Sequence, residues 1–100
     1  MSLNEALEAI EEYFESNCNG SWEHHAGISI ESTDNPGWVI TFIALQIENK
    51  DLHDIVESVL KSFDAQVQND GKSLRVFAPK LSSCLSASGT ILSHLKRTAI

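Results

Sequence analysis

The segment Trp22-Glu23-His24-His25 gathers the side chains best suited to proton transfer or metal binding. A glutamate beside a histidine could act as an acid–base pair, but neighbours on an extended segment point to opposite sides. His24 and His25 could ligate a metal only with distant donors such as His53 or His94, and no zinc-type spacing surrounds them. Ser58-x-x-Lys61 and Ser93-x-x-Lys96 match a serine–lysine spacing, yet helical periodicity already accounts for both and the companion motifs are missing. The chain has no phosphate-cradling glycine loop, no dinucleotide glycine pattern and no G-x-S-x-G elbow. Cys18 and Cys84 lie outside any C-x-x-C pair and are expected to be reduced, structural thiols. These residues argue against an enzyme, a resident metal or a cofactor.

Charge is more informative. The chain of 100 residues carries 14 acids and 7 bases, and their distribution is uneven. Residues 1–50 hold nine acids against the single base Lys50, whereas residues 51–100 hold five acids and six bases. A surface of that sign repels phosphates and attracts cationic partners, so direct nucleic-acid binding is disfavoured. No apolar run approaches a membrane span, and no basic stretch with a following apolar run opens the chain. The expectation is a cytoplasmic domain over residues 1–100, large enough to build one core without a metal or disulfide.

The elements that must position these groups follow from periodicity. Leu3, Ala6, Leu7, Ile10, Tyr13 and Phe14 recur at helical steps and predict a first helix from Leu3 to Ser16. Ser2 and Glu5 fit a capping box at its start. Glu5, Glu8, Glu12 and Glu15 form another stripe, where like charges at three- and four-residue steps repel. That stripe is either a solvated face or a docking surface for something cationic.

Gly27 to Glu31 alternates as a strand, and Asp34-Asn35-Pro36-Gly37 supplies a turn. Trp38 to Ile47 predicts a strand apolar on both sides, which needs cover on both or a partner on one. Asn49 can cap a second helix bearing Leu52, Ile55, Val56, Val59, Leu60 and Phe63. Ala65 to Phe77 reads as a hairpin around Asn69-Asp70-Gly71, with Val67, Leu74 and Val76 facing inward. Pro79 suits the first turn of a third helix carrying Leu81, Cys84, Leu85, Ser88, Leu92 and Leu95. Gly89 interrupts that helix at a cost of about 1 kcal/mol relative to Ala, and Lys96 and Arg97 complement its negative end. The order αββαββα implies an α+β domain in which an antiparallel sheet of about four strands packs against three helices.

Two tryptophans flank the predicted first hairpin. Trp22 and Trp38 are either core aromatics or, beside Glu23 and Asp34, anchors for a partner.

The central stretch resembles a known family. Cys18-Asn19-Gly20-Ser21-Trp22-Glu23-His24, then Gly27-Ile28-Ser29-Ile30-Glu31, then Asp34-Asn35-Pro36-Gly37-Trp38, is similar to the signature of bacterial polymorphic-toxin immunity proteins, family fifty-three. Tyr13 and Phe14 fit the aromatic positions ahead of the cysteine, so the likeness covers roughly residues 3–42, and Asp51–Ile100 does not follow the pattern. The resemblance implies a small cytoplasmic protein that binds and neutralises one cognate toxin, often encoded beside it. The candidate partner-binding residues are Glu8, Glu12, Glu15, Trp22, Glu23, His24, Asp34 and Trp38. A nuclease toxin would offer the cationic surface that these acids suit. A self-associating module, with the doubly apolar strand as its dimer edge, is the alternative.

Overall fold

The computed structural model describes residues 2–45, 50–70 and 72–98, and their side chains except at 51, 52, 55, 59, 70 and 96–98. Helix α1 (Leu3–Asn17) starts in the expected capping box. The Ser2 hydroxyl accepts from the Glu5 amide at 3.2 Å, and the Glu5 carboxylate accepts from the Ser2 amide at 3.0 Å. Strands β1 (Gly27–Thr33) and β2 (Gly37–Ile43) form a hairpin that closes at Thr33 and Gly37. Helix α2 (Lys50–Leu60) runs into a 3-10 turn, Lys61–Phe63, followed by β3 (Gln66–Asp70), β4 (Ser73–Ala78) and α3 (Leu81–Thr98). The sheet is antiparallel throughout, in the order β1-β2-β4-β3.

Pleating sends alternate residues to opposite faces, so one side of the sheet becomes the core. Ile40 and Phe42 of β2 and Leu74, Val76 and Ala78 of β4 are buried with Cys84, Ala87, Ile91 and Leu92 of α3. Val56 and Leu60 close the core from α2, and Val67 is partly buried as expected of an inward residue. Among the described residues no helix packs on the other face, which includes Val39, Thr41, Ile43 and Phe77, so the helices cover the doubly apolar strand on one side only.

Helix α3 lies across β2 and β4, with α1 and α2 packed on its two flanks. Gly89 explains how α1 fits. A Cβ at Gly89 would stand 2.5 Å from the Cα and 2.6 Å from the Cβ of Ala6, closer than side chains tolerate. The glycine that interrupts the helical pattern is therefore the site where two helix backbones meet.

Several boundaries differ from expectation. Strand β2 stops at Ile43 because Ala44 takes a left-handed conformation (φ 70°), which strand pairing cannot continue. Pro79 precedes α3 instead of opening it. Asp70 pairs with Ser73, so Asn69 and Asp70 belong to the strand rather than to the hairpin turn. The Asn49 cap lies outside the described residues, as do the Lys96 and Arg97 side chains.

The stripe predicted on α1 is only half covered. Ala6 is fully buried and Ile10 and Tyr13 pack on the core, but Leu3, Leu7 and Phe14 are between 36% and 41% exposed. Close approach through the small Ala6–Gly89 face draws α1 against α3 and leaves its far flank open.

Candidate functional site

The segment after α1 is built by its own polar groups. The Asn19 side-chain oxygen accepts from the amides of Ser21 and Trp22, each at 2.9 Å. The Glu23 carboxylate accepts from the amides of Asn19 at 3.0 Å and Gly20 at 3.0 and 3.1 Å. These bonds fold Trp22–His24 into a 3-10 turn in place of the extended segment expected. Gly20, at φ +89°, supplies the backbone conformation that the loop requires. Backbone N–H donation, from its own amide first and then from Asn19 and Gly20, holds the Glu23 carboxyl below its ordinary range.

Trp22 is half-buried in an aromatic group. Its ring meets Tyr13 edge-on at 6.0 Å and Phe14 at 5.7 Å, while Tyr13 meets Phe42 at 5.8 Å and 90°. These are the offsets favoured by ring quadrupoles. The cluster ties the loop and α1 to the sheet. Burial pushes the Tyr13 hydroxyl and the Cys18 thiol up, and the Glu23 and Glu15 charges add to the effect at Cys18.

The candidate binding residues fall into two groups. Glu15, Trp22, Glu23 and His24 lie around the end of α1, and Glu8 and Glu12 continue up the helix, with Glu8, Glu12 and Glu15 all exposed. Asp34 stands exposed in the β1–β2 turn, and half-buried Trp38 pairs with Ser32 beside it. Strand β1 separates the loop from that turn by about 20 Å at 3.3 Å per residue.

Other chemistry-bearing groups stay apart from this surface. Cys18 and Cys84 are both free thiols, and buried Cys84 donates to the Val76 carbonyl at 3.2 Å. Burial pushes its pKa up to about 11. His53, Asp54 and Glu57 gather on α2, where His53 Nδ1 lies 3.5 Å from Glu57 Oε1. Their donor atoms lie within 4.8 Å of one another, so the trio could hold a cation. The i, i+1, i+4 spacing was the signal, although the sequence directed attention to His24 and His25. Among the described residues, no ligand group of three includes His24, His25 or His94.

A groove of about 430 Å³ runs between α1 and α3, lined by Ala9, Tyr13, Leu45, Leu92 and Leu95 with Glu12 at its rim. Its lining is largely apolar, with Glu12 as the single acid.

No curated protein and no solved structure matches the chain. The family model for immunity protein 53 matches residues 7–84, running past the central motif through β4 into the first turn of α3. Its span extends into the half in which the motif resemblance is absent, as far as residue 84. The chain belongs to the immunity protein 53 family.

Proposed function

We propose that this protein is a stoichiometric inhibitor, acting in the cytoplasm, that binds one cognate bacterial toxin and neutralises it without catalysis. Family membership supports the class of function. The observation that carries the contact surface is electrostatic. Residues 2–45, which build α1, its loop and the first hairpin, contain eight acids and no lysine or arginine. Glu8, Glu12 and Glu15 stand exposed along α1, with the Trp22 loop at its end. Such a surface suits a cationic partner, and a nuclease toxin must be cationic where it holds phosphates. Complementary charge speeds encounter more than it deepens affinity. Asp34 and Trp38 belong to a second patch that a large partner would reach at the far end of the hairpin.

Co-expression with the toxin encoded beside this protein should protect cells, and the two proteins should co-purify. Failure of both overturns the function. Reversing Glu8, Glu12 and Glu15 to lysine should slow association about tenfold at low salt and flatten its salt dependence. Unchanged kinetics would reject the acidic contact surface.

A further inference from the structure

Strand β1 is the terminal strand of the sheet, and all seven of its residues pair with β2 without a bulge. Its other edge faces outward, with alternate amides and carbonyls directed away from β2. Sheet edges are ordinarily blunted by charge, proline, bulges or short length; Gly-Ile-Ser-Ile-Glu-Ser-Thr has no proline or bulge, is seven residues long and carries one charge, Glu31. The opposite edge, β3, is shorter and polar, reading Gln-Val-Gln-Asn-Asp.

The surroundings of this edge are unusual. Ile30 shares its row with Ile40, which is fully buried beneath the helices, yet Ile30 is 49% exposed. Helix α2 packs on α3 and β3, whereas α1 packs on α3 and, through Tyr13 and Phe14, on Trp22 of the 3-10 turn that touches β1. The uncovered α1 residues Leu3, Leu7 and Phe14 follow at helical steps, with Glu11 one turn from both Leu7 and Phe14. Four of the five large apolar side chains exposed among the described residues therefore belong to α1 and β1. On the opposite face of β1, Glu31 accepts from the Ser29 hydroxyl at 3.1 Å.

We propose that the free edge of β1 receives an extended segment of the cognate toxin as a fifth strand. The segment alternates apolar and basic side chains. The apolar ones lie over Ile30 on the helix side, and the basic ones lie beside Glu31 on the open side. This rests on the immunity reading and specifies how the partner docks. Charge selects the occupant: two copies joined at β1 would bring together surfaces that contain acids and no lysine or arginine. Main-chain hydrogen bonds would supply affinity, and the alternating side chains would supply selection.

The test is amide hydrogen exchange on labelled full-length protein, alone and with the toxin domain encoded beside it. The outward amides of β1 should exchange about a hundredfold more slowly in the complex, whereas those bonded to β2 are protected in both states. Ile30→Glu should weaken binding about tenfold or more with an unchanged melting temperature, and Ile43→Glu, on the opposite face, should not. Toxin binding without protection of β1, or with full affinity in Ile30→Glu, overturns the edge proposal and leaves the immunity function standing. Absence of any binding overturns both. A β1-mediated dimer of this chain in sedimentation would overturn the choice of occupant.

Discussion

Gly89 lies inside α3 at the point where α1 crosses it, and a Cβ there would stand 2.5 Å from the Cα of Ala6. In a helical pattern it registers as a weak position, because glycine lacks the helix preference of alanine. Its role emerges only when Ala6 is brought against it, since the requirement belongs to another helix. Gly89→Ala should therefore destabilise the fold by about 2 kcal/mol, despite its gain in helix propensity. A urea melt measures the difference, and a stability equal to or above that of the parent would exclude the close crossing. Cys84 was easier to place, since an apolar-stripe cysteine far from any partner motif reads as a core thiol. Buried and with its pKa pushed to about 11, it should resist thiol reagents at pH 8 until the protein unfolds. Labelling at the global unfolding rate is the expected result; prompt labelling of Cys84 would contradict its burial.

Among the elements, α1 and the loop after it show what local sequence can and cannot reveal. The capping box was legible because Ser2 and Glu5 need only each other. Ser2→Ala should cost about 1 kcal/mol of stability, measurable as a lowered thermal midpoint. The 3-10 turn at Trp22–His24 was missed because it depends on the Asn19 and Glu23 side chains satisfying backbone amides, which compete with an extended path. The Glu23 carboxyl is held below its ordinary value of 4.5, so its contribution to stability is present above that pH and lost as pH falls through the lowered native value. A Glu23→Gln variant should show a shallower acid-side loss of stability than the parent. Equal slopes in acid titration would mean that the loop does not depend on the ionised carboxylate. The start of strand β2 is legible in the sequence, but its end is set by the left-handed Ala44, which no residue-type preference announces.

For the molecule as a whole, the order αββαββα and the antiparallel sheet follow from periodicity because the helices carry apolar stripes and β1 and β4 alternate. The acidic bias of the first half was equally plain, as charge needs no fold to be counted. The arrangement of the candidate site was not legible, since strand β1 sets the distance between the Trp22 loop and Asp34. Nor could the sequence distinguish the covered part of the α1 stripe from the part left open. That division depends on how tightly α1 approaches α3.

The Ala6–Gly89 contact joins residues 83 positions apart, with α1 near one end of the chain and α3 near the other. During synthesis α1 leaves the ribosome long before its counterpart, and no earlier helix offers it a glycine against which to close. Its packing must wait until α3 has been made, and contacts so distant in sequence slow the search for the native state. The acidic helix α1 thus reaches its final setting only after some eighty further residues have been made, so its native surface is among the last parts of the domain to form.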